Sequence, residues 1–275
     1  MNAFSFIGFL FQNFLVVPIV NLLMVFYQLL YVAHIPFALG ISIILLTIAV
    51  RLILYPLTSA QIKAAKKMQE INPHLTRLKE KHKNDAKTLQ AETMKLYKEF
   101  GVNPLAGCLP VVVQLPLIWA LYSVLRNVPL YTTSTLNKLL YSDSLKLTKP
   151  WDINFFGLPL SQNPSHLLSS VGPIVLLVPV LTGVFQFIQS KMLIPQVSQK
   201  AVVKKGEEKK DDFATAFQSQ SLYIFPVMIG FFSYSFPIGL SLYWNTFTIF
   251  GIIQQYKISG LGGLKEWMDK LNGKK

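Results

Sequence analysis

The chain has 275 residues, of which 52% are hydrophobic and only 14% charged, and carries a formal net charge of +13. A mean hydropathy of +0.41 excludes an ordinary soluble domain, and the length leaves room for several membrane spans. The single cysteine, Cys108, excludes an intrachain disulfide framework or thiolate cluster and reads as a small buried hydrophobe.

No Lys, Arg, Asp or Glu occurs before Arg51, so the basic start of a secretory signal is missing. Phe4 to Val17 is apolar but short, and Pro18 is expected to separate it from Ile19 to Ala33. In that second piece Asn21, Met24, Gln28 and Tyr31 fall on one helical stripe, which predicts an interfacial helix within an outer-side segment, residues 1–36.

Ala38 to Leu57 is apolar except for Arg51. At ~1.5 Å per residue it makes a helix of about 30 Å, the thickness of a bilayer core, with Arg51 roughly 10 Å before its end. A charge there costs on the order of 2.5–3.5 kcal/mol on insertion scales and needs a partner, a route to the headgroups, or water.

Residues 60–105 carry ten basic residues, from Lys63 to Lys98, against five acids, which marks a cytoplasmic segment. Met68, Ile71, Leu75, Leu78 and then Leu89, Thr93, Leu96, Phe100 predict a helical hairpin over 60–100. Its turn is expected at Lys83-Asn84-Asp85, with Pro73 bending the first arm.

Apolar sequence resumes at 106–125, and the loop from Arg126 to about Leu168 has few cations, as expected outside. Residues 169–189 cross inward, ending near Lys191 and a charged loop with Lys200, Lys204, Lys205, Lys209 and Lys210 that reads as mobile. One helix over Ser221 to Tyr256 would measure about 54 Å, so Pro237 and Gly239 are expected to divide it into spans 221–236 and 238–256. At about 24–28 Å each arm is short, which predicts a locally thin membrane. The tail, residues 257–275, is basic and again cytoplasmic, with a Leu261, Leu264, Met268, Leu271 stripe that suggests a short surface helix. The fold expected is an all-α polytopic membrane protein, with an interfacial helix, five spans and a cytoplasmic hairpin. The basic charge is therefore topological, and nucleic acid is not the principal ligand.

None of the 13 acidic residues falls in a span, so Arg51 has no carboxylate partner at membrane depth. Gln114, Thr182, Gln186, Gln189, Ser241, Asn245 and Thr246, with Trp244 beside them, put neutral polar groups in the other spans. Together they imply a water-accessible cavity with a guanidinium on its inner wall. The alternatives for Arg51 are snorkelling to the headgroups or hydrogen bonding to backbone carbonyls. The four histidines lie outside the spans, and no HExxH, paired intramembrane carboxylates or phosphate loop appears, which argues against an enzyme, a metal site or a nucleotide motor.

Four passages together resemble one family: LTIAVRLILYPLT (46–58), MQEINPHLTRLKEKHKND (68–85), GVNPLAGCLPVVVQLPLIWALYSVL (101–125) and FPVMIGFFSYSFPIGLSLYWNTFTIFGIIQQY (225–256). They look like the YidC-type membrane protein insertases, related to the oxidase-assembly and thylakoid insertases. The resemblance implies a hydrophilic groove, open to the cytoplasm and lipid and closed outside, holding Arg51 and lined by the spans of Gln114, Gln186 and Trp244. It also implies a hairpin that receives substrates; no cofactor is expected. The expected partners are nascent membrane proteins, the ribosome, lipid and in some cases the general translocon, with nucleic acid met only through the ribosome and a monomer sufficient. The expected setting is a bacterial plasma membrane, N-terminus outside and C-terminus cytoplasmic. The large periplasmic domain of Gram-negative members, the lipoprotein cysteine of many Gram-positive members and the long basic tail of others are not found. A small-solute anion channel or transporter is the competing reading, although the Arg-bearing span is not repeated.

Overall fold

A computed structural model describes residues 3–82, 85–101, 109–127, 132–193, 213–271 and 273. Cys108, Lys83, Asn84 and the charged loop from Lys200 to Lys210 lie outside the described residues. Helices dominate: α1 (Ala3–Phe11), a π-helical turn (Gln12–Val16), α2 (Val17–Val32), α3 (Ala38–Ile53), α4 (Tyr55–Lys81), α5 (Ala86–Glu99) and α6 (Leu109–Asn127). After these come α7 (Thr133–Asn137), a hairpin of β1 (Asn154–Phe155) and β2 (Leu158–Pro159), α8 (Pro164–Val171), α9 (Leu177–Leu193), α10 (Phe213–Ser235), α11 (Ile238–Ser259) and α12 (Gly263–Leu271). The Cα positions group into two units, Met1–Ile53 with Val112–Gln186 and Phe225–Phe250, and Leu54–Val111 with Phe187–Ile224 and Gly251–Lys275.

Two sequence expectations change near the N-terminus. Pro18 does not separate two helices, because it sits in the first turn of α2, where its missing N–H costs little, just after the wider π turn. Ser5–Val32 is thus one run of 28 residues, long and apolar enough to cross a bilayer. The polar stripe is mostly turned inward as well, although Tyr31 is exposed. Asn21 is buried, its amide donates to the carbonyls of Val17 and Leu139, both at 2.8 Å, and its Oδ1 accepts the Tyr141 N–H at 2.7 Å. Gln28 donates to the carbonyls of Leu145 and Lys146. Asn21 and Gln28 hold residues 139–146, so these two polar groups serve the fold and are not a sign of a helix lying in the membrane surface. We expect Asn21→Ala to lower stability by about 1–3 kcal/mol, since it strands buried carbonyl and amide groups, and thermal unfolding in detergent measures this.

The single helix expected over 38–57 is broken: α3 ends at Ile53 and α4 continues bent by 64°. Pro56 lies in the first turn of α4, cannot donate back to residue 52 and clashes with its carbonyl, so the chain breaks at Leu54. Arg51 therefore lies in the last turn of α3. The division at Pro237 is present, between Ser235 and Ile238. Within the segment expected over 169–189, Gly172, at φ +85°, ends α8, and Pro173–Leu193 forms a helical run long and apolar enough to cross a membrane.

Close approaches in the first unit depend on small residues. Gly183 of α9 faces Gly230 of α10, and a Cβ on Gly230 would stand 3.2 Å from the Pro179 carbonyl oxygen and 3.5 Å from the Gly183 Cα. Gly40 of α3 receives the Phe155 ring where its own Cβ would be, 2.0 Å from a ring carbon. The hairpin turn is Phe156-Gly157, at φ +49° and +81°, which the strand pairing of Phe155 with Leu158 requires. Phe156 adopts that unfavourable backbone while stacking on Phe37 at 4.7 Å.

In the second unit, Gln254 of α11 is buried and its amide donates to the Tyr55 carbonyl at 3.2 Å, the Thr58 hydroxyl at 2.8 Å and the Ser59 hydroxyl at 3.0 Å. The start of α4 is fixed there. Pro73 lies inside α4 without ending it, and the His74 ring meets Phe100, just past α5, at 5.4 Å. Asp85 caps α5 by accepting the Thr88 amide at 3.0 Å and its hydroxyl, which hold the carboxyl below its usual range. A depressed carboxylate stabilises above the unfolded value, about 3.9, and that contribution is lost as pH falls through the folded value. Asp85→Ala is expected to speed amide exchange in the first turn of α5 several-fold at neutral pH while leaving α2 unchanged.

Candidate functional site

The cation expected at membrane depth is buried, with Arg51 5% exposed. Its Nη2 donates to the Phe247 carbonyl at 2.6 Å, and the guanidinium carbon lies 3.4 Å from the Phe247 ring centroid and 5.8 Å from that of Phe250. Among the described residues it has no carboxylate partner, and its Nε has no hydrogen-bond partner. One carbonyl and an aromatic face offset part of the desolvation of a guanidinium; they do not neutralise it. The carbonyl alternative therefore describes this conformation, and Arg51 does not line an open cavity in it.

Two more unpartnered polar atoms lie in the same unit on α11, the Asn245 Oδ1 and the Thr248 Oγ1. They flank Phe247 along the helix. Buried polar atoms without partners are rare, so Arg51 Nε, Asn245 Oδ1 and Thr248 Oγ1 mark α3 and α11 as places where polar groups are buried without being paired.

Gln186 and Trp244 come together, the Trp244 Nε1 donating to the Gln186 Oε1 at 3.1 Å. Trp244 precedes Phe247 by a turn, so α11 joins this pair to the Arg51 contact. Gln114 lies on α6, and its side chain is outside the described residues. Next to the pair, Thr182 of α9, Ser233 of α10 and Ser241 of α11, all buried, share hydrogen bonds of 3.2 and 2.8 Å in sequence. With Trp244 and the apolar Ile229, Phe232, Phe236 and Leu240 they line a cavity of about 20 Å³. Sequence reasoning missed Ser233 and Phe247. A hydroxyl in the apolar run FFSYS was a usable signal for the first; a ring and carbonyl that serve a cation leave none.

A helical protein with apolar helices of bilayer length and a buried, unneutralised cation is a membrane protein with a polar interior, not a simple anchor. The chain matches, over residues 30–262, the profile of the family described as 60Kd inner membrane protein, and it belongs to that family. It is 36% identical to the membrane protein insertase YidC of Fusobacterium nucleatum over 224 residues, 81% of this chain and 87% of the relative. The YidC of Oceanobacillus iheyensis is also 36% identical, over 80% of this chain and 74% of the relative. The inner membrane protein ALBINO3 of Arabidopsis thaliana chloroplasts is 32% identical, over 86% of this chain and 50% of the relative. Among solved structures, an active YidC insertase crystal structure with its first transmembrane domain resolved aligns with a TM-score of 0.54 at 27% identity, covering 86% of this chain and 45% of that one.

Proposed function

We propose that this chain is a non-catalytic membrane protein insertase and chaperone of a bacterial plasma membrane. A short hydrophilic segment of a nascent protein enters from the cytoplasm, meets Arg51, Gln114, Gln186 and Trp244, and passes outward while the neighbouring apolar segment moves into lipid. Burial of that apolar segment drives the step, aided for acidic segments by the membrane potential, about 2.3 kcal/mol per charge per 100 mV. In this reading the helices of residues 37–256 form five spans, α4 and α5 receive the client inside, and the tail is cytoplasmic.

The observation that carries the reading is the state of Arg51, whose partners are one carbonyl and a ring face, with Nε left over. Those contacts are exchangeable: an arriving carboxylate replaces a neutral acceptor with a charged one. Because Arg51 is 5% exposed, the contact between α3 and α11 has to open for that exchange. The same burial disfavours a standing anion channel. The membership of the family and the insertase names of the relatives agree with the proposal.

Photocrosslinking from position 51 to a ribosome-stalled nascent chain tests it. Adducts with the hydrophilic segment ahead of the client's apolar stretch are expected, and adducts with lipid alone would overturn the proposal. Solute flux through liposomes without any client would favour the channel instead.

A further inference from the structure

The insertase reading leaves α12 unused. Its apolar side holds Leu264, Trp267 and Met268 within about 100° of the helix circumference, with Lys265 on the flank about 60° beyond Met268 and Asp269 further round on the polar side. That face is only half covered: Leu264 is 8% exposed, whereas Trp267 and Met268 are each 41% exposed. The helix is nonetheless firmly placed. Gly262, at φ +52°, brings the chain so close to α9 that a Cβ there would lie 2.1 Å from the Met192 carbonyl oxygen. Trp267 meets the edge of Phe187 at 5.9 Å, Phe187 meets Tyr223 at 6.1 Å, and the Lys191 ammonium stands 5.9 Å from the Tyr223 ring.

Backbone contact with Met192 fixes α12 at the last turn of α9, where the apolar run Pro173–Leu193 ends. An aromatic cluster with lysines at the end of a span is the composition of the membrane interface. From Lys257 to Lys275 the chain carries five lysines against two acids, a balance complementary to an anionic leaflet. We propose that α12 is a membrane-surface helix whose Trp267 and Met268 enter the headgroup boundary of the inner leaflet, with its lysines toward anionic headgroups.

The inference rests on α9 being a span, as the insertase reading has it, and the experiment separates the two. In the full chain carrying Cys108→Ser, an environment-sensitive fluorophore is attached in turn at Met268→Cys, Lys265→Cys and Val180→Cys in α9, and each variant is reconstituted in vesicles containing lipids doxyl-labelled near the headgroup or deep in the chain. The probe at 268 should be quenched by the shallow label about twofold more than the probe at 265, and replacing zwitterionic with anionic lipid should increase that quenching. Water-like emission at 268, or equal quenching at 268 and 265, with the probe at 180 quenched by the deep label, overturns the surface helix alone. An unquenched probe at 180 overturns the membrane placement of α9 and the inference with it.

Discussion

Arg51→Ala is expected to reduce insertion of single-span clients with acidic outer segments about tenfold, while Arg51→Lys retains most of it. The size follows from Coulomb attraction: at an effective dielectric of ~20, a carboxylate about 10 Å from the guanidinium gains on the order of 1.5 kcal/mol, or about tenfold in rate. A lysine keeps this attraction, because an ammonium can also donate to the Phe247 carbonyl and rest over its ring. Because truncation also removes the packing of a buried side chain over the Phe247 ring, insertion is compared at equal amounts of folded protein in the membrane. Complementation of an insertase-depleted strain, with client translocation scored by protease protection, reads the effect. If the alanine and lysine variants insert acidic clients equally well, the electrostatic step is wrong; if both fail, the planar guanidinium itself is needed and the charge alone does not suffice.

Gly40→Ala is expected to destabilise the protein by about 1–3 kcal/mol, a large effect for one methyl group. The new carbon would occupy the place of the Phe155 ring, 2.0 Å from its nearest atom, and the ring is held edge-on to Phe37 at 5.9 Å. The ring must leave α3 or the helix must shift. Phe155→Ala in the Gly40→Ala background should recover part of the loss, so thermal unfolding of the two single variants and the double variant should show strong non-additivity. Additive losses would mean that ring and helix are not in contact.

Much of the helical pattern was legible because bilayer length and charge segregation are one-dimensional properties. The break at Pro237, the helices on both sides of residues 82–85 and the lone cation of α3 all follow from local composition. The continuity of the N-terminal helix was missed because Pro18 was read without its surroundings, where a π turn accommodates it, and the role of Asn21 was hidden because it bonds to Leu139 and Tyr141, more than a hundred residues away in the chain. Pro56, by contrast, carried a local signal for the break at Leu54 that the hydropathy of the run concealed.

By itself the sequence determined that a chain so apolar belongs in a membrane, and that Arg51 would stand on an apolar helix without an acid to pair with. Hydropathy and charge act residue by residue, so no folding was needed to read them. Only the tertiary structure decided what the guanidinium touches. The Phe247 carbonyl and ring reach it from 196 residues further along the chain, and Gln186 meets Trp244 across 58, because packing is settled by helix faces that come together after folding.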